Sequence, residues 1–256
     1  MSSIELKTRW LGRTFQAFDS LPSTNDTCKE QIESLPHGAA ITARAQYCGK
    51  GTKGRQWANQ PGQAVFLSFV LKGVRLESLT LLPLLCGLAE VKALSELGIK
   101  AGIKWPNDIV LNGKKISGIL CESVIFGGRI DVVCGIGVNV QQTPEQFVQS
   151  ELPYAGSILS ETGRLLALDS VINALLNKFE VIYEEYLSTG FDQLKGRYEK
   201  HCVTLHKQVR VLNEGREQTA FAEGIAADGR LICSVDGKQT LIDHGEASVR
   251  GLWGYI

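Results

Sequence analysis

The chain has 256 residues, 44% of them hydrophobic, enough to bury the core of one large domain or of two unequal ones. Lysine plus arginine and aspartate plus glutamate each number 27, so the formal net charge is zero and no global basic field exists to hold nucleic acid or a membrane surface. Any cationic function must therefore be local. The seven cysteines (Cys28, Cys48, Cys86, Cys121, Cys134, Cys202 and Cys233) are odd in number and scattered, with no CxxC pair. They read as reduced thiols of a cytoplasmic protein and complete no metal-ligand set; Cys86, Cys121 and Cys134 lie in apolar runs as small buried hydrophobes.

Residues 1–13 carry Glu5, Lys7 and Arg9 without an apolar core region, which argues against a signal peptide. Ser23 and Thr24, followed by Asn25 and Asp26, start a helix, since a hydroxyl can cap the free amides of a first turn. Residues 39–45 read as a short strand, and 64–71 as a largely apolar strand. The run 79–97 reads as a buried helix that stops at Gly98. The most apolar stretch, 79–89, is interrupted by Pro83 and falls far short of a membrane span of roughly 20 apolar residues. Asn112-Gly113 between the apolar runs 109–111 and 116–120 is a hairpin signal, and 130–140 is another strand.

Apolar residues at helical spacing (Val171, Leu175, Leu176, Phe179, Ile182, Tyr183, Tyr186) make 168–187 an amphipathic helix, with a second helix over 191–201. From Val203 the pattern changes. Short β-branched segments alternate with turns at 213–215, 228–229 and 236–237, the mark of a small all-β barrel. Trp105-Pro106 reads as a rigid lead-in to a strand, and the histidines His201, His206 and His244 show no partner pattern.

Two segments carry chemistry. Glycine punctuates the basic run from Gly49 to Trp57, giving a backbone that can fold around phosphates, with Lys50, Lys53 and Arg55 as cationic side chains. The segment KWPND, residues 104–108, lies downstream. With LPSTND (21–26), ARAQYCGKGTKGRQW (43–57), KWPNDIVLNGKKISGIL (104–120), CGIGVNV (134–140) and GEASVRG (245–251), the chain resembles the biotin protein ligases, block by block and in order.

The resemblance implies an α+β fold: a mixed-sheet catalytic domain of the class II synthetase-like biotin/lipoate ligase type over 1–202, then an SH3-like β-barrel over 203–256. It implies that biotin attacks the α-phosphate of ATP, supplied with Mg2+, to give biotinyl-5′-AMP and pyrophosphate. A lysine of a biotin carboxyl carrier protein, a subunit of acetyl-CoA carboxylase, then displaces AMP. The catalytic positions it implies are Lys115, Asp108 and Lys50. Biotin falls to Ser23, Thr24, Asn25, Gln46, Lys50, Gly51, Thr52, Trp57, Lys115 and Gly118, and ATP or the adenylate to Lys53, Arg55, Lys104, Asn107 and Asn139.

Lys115 would bridge the biotin carboxylate and the α-phosphate, and Asp108 would take the proton of the acceptor lysine or orient its ammonium. Lys114, its strand neighbour, should face solvent. Arg250 and Glu246 would meet the ATP side of the pocket or the carrier, or form a strand salt bridge. The chain departs from the family at Lys50 and Thr52, where arginines are usual; neither residue offers a bidentate fork to phosphate, which points to faster escape of the adenylate. The alternative is a lipoate or octanoate ligase or transferase on the related fold. A repressor role is not expected, because only about twenty residues precede Ser23, too few for a helix-turn-helix domain. Relatives that dimerise through a sheet surface make a homodimer a further expectation.

Overall fold

The computed structural model describes residues 6–51, 61–213, 216–243, 247–251 and 255–256. In chain order the first part runs β1 (Phe15–Leu21), α1 (Thr24–Glu30), β2 (Ala40–Gln46), β3 (Ala64–Leu71), α2 (Leu82–Glu96), β4 (Gly102–Lys104), β5 (Asp108–Leu111), β6 (Lys114–Phe126) and β7 (Arg129–Asn139). Four helices follow: α3 (Pro144–Gln149), α4 (Ile158–Thr162), α5 (Leu168–Thr189) and α6 (Asp192–His201). The remainder is β8 (Gln208–Asn213), β9 (Arg216–Ile225), β10 (Leu231–Val235), β11 (Lys238–Ile242) and β12 (Ala247–Gly251).

The first seven strands form one mixed sheet in the order β1-β2-β3-β7-β6-β5-β4, with β1 parallel to β2 and the other neighbours antiparallel. Strand β3 is buried at all eight positions, so both faces of the sheet centre are covered. Alternation sends Phe69 toward α5, where its ring centroid lies 4.5 Å from that of Phe179, and sends Ser68 the other way to meet α1. Helices α2 and α5 thus cover one face and α1 the other. Enclosing Phe179 between Phe69 and Tyr183 contributes roughly 2–3 kcal/mol.

Local sequence explains most boundaries. The helix expected over 79–97 begins at Leu82, after a 3-10 turn at Leu76–Ser78, because Pro83 sits in the first helical turn, where its missing N–H is no loss. Asn112 and Gly113, with φ of 50° and 81°, make the tight turn between β5 and β6. Strands β1 and β4 and helices α3 and α4 add elements beyond the sequence reading. Lys114 is half-buried, and its ammonium donates to the Pro153 carbonyl at an exposed position. The Trp105-Pro106 bond is cis and lies in the turn between β4 and β5.

Five antiparallel strands form the second sheet, β11-β10-β9-β8-β12, as the SH3-like reading requires, although no ladder among the described residues joins β11 to β12 into a closed barrel. This sheet is fastened beside β4. Trp105 Nε1 donates to the Gly229 carbonyl at 3.0 Å, Thr80 Oγ1 donates to the Asp228 carbonyl at 2.9 Å, and Val203 N donates to the Ile103 carbonyl at 2.8 Å. Gly229, with φ of 87°, also approaches Leu81 and Leu84 too closely for a side chain to be added without displacement. The join lies next to Lys104 and Asp108. Among the described residues no helix is long and apolar enough to cross a membrane.

Candidate active site

Between α1 and the sheet lies a small cleft lined among others by Ser23, Thr24, Asn25, Gln46, Lys50 and Gly118. Ser23 has extended backbone and accepts the Asp26 N–H at 3.4 Å, so it is the N-cap, as expected. Thr24 donates its N–H to Gln46 Oε1 at 2.7 Å and its hydroxyl to the same oxygen at 3.1 Å, tying the helix start to the end of β2. Both contacts fall on the Gln46 carboxamide oxygen, leaving the amide hydrogens without a partner among the described residues.

Asn25 is locked from several sides. Its Nδ2 donates to the Leu120 carbonyl at 3.1 Å and to Glu122 Oε2 at 2.8 Å, and its Oδ1 accepts from Ser68 at 2.6 Å. The approach is possible because residue 135 is glycine: a Cβ there would fall 2.1 Å from Asn25 Oδ1. An ion-pair chain continues outward, with Lys29 2.7 Å from Glu122 and 2.9 Å from Asp26, and Lys50 2.8 Å from Asp26. Partial burial works against the Asp26 carboxylate, but Lys29 and Lys50 outweigh it and hold its pKa below the ordinary value.

The second cluster centres on Asp108. Lys115 Nζ lies 2.5 Å from Asp108 Oδ1, Lys104 Nζ lies 3.8 Å from Oδ2, and the Tyr255 hydroxyl donates to Oδ2. Only 8% of Asp108 is exposed. Burial opposes its charge, yet the two lysines and the hydrogen bonds from Lys115 and Tyr255 win, keeping its pKa below the usual carboxylate value. Among the described residues two ammonium groups face one carboxylate here, an arrangement receptive to an anion.

The ladder between β5 and β6 sets Asp108 opposite Gly118, which lines the cleft, so the two clusters are neighbours. Asn107 has its Nδ2 on the Ile119 carbonyl at 2.8 Å and accepts the Ile119 N–H at 2.9 Å, fixing β6 beside β5. Asn139, 6% exposed, donates to the Gly156 carbonyl at 3.0 Å and accepts from Gln142 at 2.9 Å. Arg250 stands opposite Arg210 in the β8–β12 ladder. Thr52, Lys53, Arg55, Trp57 and Glu246 lie outside the described residues.

Sequence reasoning missed Ser68, Glu122, Gly135 and Tyr255. Ser68 had a signal, being the one polar residue in the run AVFLSFVL and 0% exposed. It also missed that Cys86, Cys121 and Cys134 converge, their sulfur atoms all within 4.8 Å of one another. They lie between α2 and the sheet face away from the cleft. Burial pushes the Cys86 and Cys134 thiols far up, so these behave as the small apolar groups expected.

The sequence model of the biotin/lipoate A/B protein ligase family matches residues 17–139. The chain is 33% identical over 231 residues to the bifunctional ligase/repressor BirA of Bacillus subtilis, covering 89% of this chain and 71% of that protein. It is 29% identical over 247 residues to the biotin--[acetyl-CoA-carboxylase] ligase of Mycobacterium tuberculosis, covering 92% of this chain and 90% of the relative. A biotin protein ligase from Aquifex aeolicus, solved in complex with biotin and ATP, superposes with a TM-score of 0.82 at 28% identity, over 93% of this chain and 99% of the other.

Proposed function

Because the chain belongs to the biotin protein ligases of the biotin/lipoate A/B protein ligase family, we propose that the α1 cleft and the Asp108 cluster are the two ends of one adenylate-forming site. The reaction is the family's. A carboxylate oxygen of biotin attacks the α-phosphorus of ATP, the bond to the β-phosphate breaks, and pyrophosphate leaves biotinyl-5′-AMP. The ε-amine of a carrier lysine then attacks the acyl carbon, forming the C–N bond as AMP departs and the amine gives up its proton.

The observation that carries the residue assignment is the pairing of Asp108 with Gly118, which sets the two-lysine corner at the end of a small polar cleft. In the cleft, the Ser23 hydroxyl, Thr24, the Asn25 carboxamide and the remaining Gln46 amide hydrogens match a ureido group, which offers one carbonyl and two N–H groups. Gly118, which lines the cleft, faces the ring. Lys50 and Gly51 are assigned to the biotin carboxylate, as is Thr52, and Trp57 to the biotin ring, the last two outside the described residues.

At the other end, an arriving carboxylate and α-phosphate compete with Asp108 for Lys115, which bridges them and offsets the charge that builds as they meet. Lys104, Asn107 and Asn139 serve the nucleotide, with Lys53 and Arg55 from the loop. ATP is taken as its magnesium complex, the ion arriving with the phosphates. Once Lys115 has turned to the anions, Asp108 is free to orient the acceptor ammonium and take its proton.

The two units, 1–202 and 203–256, divide the labour, the second bracing the Lys104–Asp108 corner through Trp105. The acceptor is the biotin carboxyl carrier protein of acetyl-CoA carboxylase, in the cytoplasm, and the protein works without DNA; a homodimer is compatible with this role. The test is exchange of labelled pyrophosphate into ATP. Exchange that requires biotin is expected, and exchange with lipoate or octanoate in place of biotin would overturn the reading in favour of the acyl-transfer relatives.

A further inference from the structure

The end of the chain returns to the site. Gly251 closes β12, and the Ile256 backbone lies so near it that a Cβ on Gly251 would fall 2.4 Å from the Ile256 carbonyl carbon and oxygen. The residue before Ile256, Tyr255, reaches across to the first sheet. Its hydroxyl donates to Asp108 Oδ2, its ring stacks on Tyr154 with centroids 5.8 Å apart and planes at 23°, and the Lys104 ammonium sits 4.3 Å over its ring centroid. Three parts of the fold thus hold one side chain: β5, β4, and the segment after α3 whose Tyr154 carbonyl accepts the Lys115 N–H at 2.7 Å.

The two oxygens of Asp108 have different partners, Lys115 on Oδ1 and Tyr255 with the more distant Lys104 on Oδ2. We propose that Tyr255 is a positioning residue for the transfer step, holding Asp108 in place and ionised when Lys115 leaves Oδ1 for the substrate anions. The proposal rests on the role given to Asp108 above. A hydroxyl donor suits this task because it stabilises the carboxylate without carrying a charge of its own. Among the described residues the charged and titratable groups facing Asp108 are Lys104 from β4, Lys115 from β6 and Tyr255 from the C-terminus.

Tyr255→Phe removes the hydroxyl and keeps the ring on Tyr154 and under Lys104. Titration of the Asp108 carboxyl by 13C NMR in the free protein, assigned with Asp108→Asn, is expected to show its pKa raised by about one unit in Tyr255→Phe. An unmoved titration would overturn the proposal whether or not the protein turns over biotin. In kinetics, the acid limb of transfer from preformed biotinyl-AMP to a carrier domain is expected to move up by the same unit, with a loss of up to about tenfold on that limb and little change near neutral pH. Biotin-dependent pyrophosphate exchange should remain within about twofold of wild type.

Equal losses in both half-reactions with an unmoved pH profile would make Tyr255 a structural brace and also overturn the proposal. Tyr255→Ala is the second variant and should shift the carboxyl titration at least as far. A wild-type protein unable to transfer biotin would refute the functional reading itself, with the titration still deciding what Tyr255 does to Asp108.

Discussion

Gly135→Ala tests whether the cleft depends on a backbone approach rather than on side-chain chemistry alone. The new Cβ would stand 2.1 Å from Asn25 Oδ1, 2.8 Å from Cγ and 2.9 Å from Nδ2. Real carbons do not approach so closely, and Asn25 cannot retreat cheaply: its carboxamide is held by Ser68, the Leu120 carbonyl and Glu122, and only 5% of the residue is exposed. Displacing it costs one to two hydrogen bonds at about 1 kcal/mol each, in addition to overpacking of about 1–3 kcal/mol, so a loss of about 2–5 kcal/mol is expected by denaturant unfolding.

A displaced Asn25 also misplaces a group assigned to the ureido ring, and the Km for biotin should rise about tenfold or more. The double variant Gly135→Ala/Asn25→Ala separates the clash from a general effect. Asn25→Ala removes the atoms that collide, so the double variant should be markedly more stable than the sum of the single losses allows. Wild-type stability in Gly135→Ala, or strict additivity in the cycle, would refute the reasoning.

Two further outcomes follow from other parts of the molecule. Glu90 in α2 is fully buried, and burial, opposed by the Ser117 hydroxyl beside its carboxyl, raises its pKa to about 8. The fold therefore favours the protonated form: stability is full below the ordinary value of 4.5 and is lost as pH rises through about 8, at up to about 1.4 kcal/mol per pH unit. Glu90→Gln should flatten that slope, and parallel stability curves for the two proteins would count against it. Thr52→Arg would offer phosphate the bidentate fork that threonine lacks, and one charge-assisted hydrogen bond of about 1.5 kcal/mol corresponds to about tenfold slower release of free biotinyl-AMP. Equal release rates would end that idea.

The parts of the fold legible in sequence are those where local chemistry dictates geometry. Ser23 caps α1 because its hydroxyl reaches the first-turn amides, and Asn112-Gly113 turns β5 into β6 because both residues accept positive φ. Helix α5 declares itself through an apolar stripe. Strand β1 was silent because it is an edge strand with few buried positions, and β4 because it has three residues.

In the site, residues within a motif were legible and those joined only by the fold were not. Gly135 is needed by Asn25, more than a hundred positions earlier, and Tyr255 reaches Asp108 across 147 positions. The three converging cysteines come from α2, β6 and β7, and no spacing rule links a helix to the sheet beneath it. The salt bridge between Asp108 and Lys115 is hidden likewise, since its partners occupy facing strands of the hairpin.

The most direct measurement is the intact mass of a biotin carboxyl carrier domain incubated with this protein and MgATP, with biotin and lipoate in separate reactions, for wild type and Lys115→Ala. A biotinyl adduct on the carrier lysine, absent with lipoate and lost in Lys115→Ala, is the expected result. A lipoyl adduct, or a biotinyl adduct that forms equally well without the Lys115 ammonium, would contradict the account.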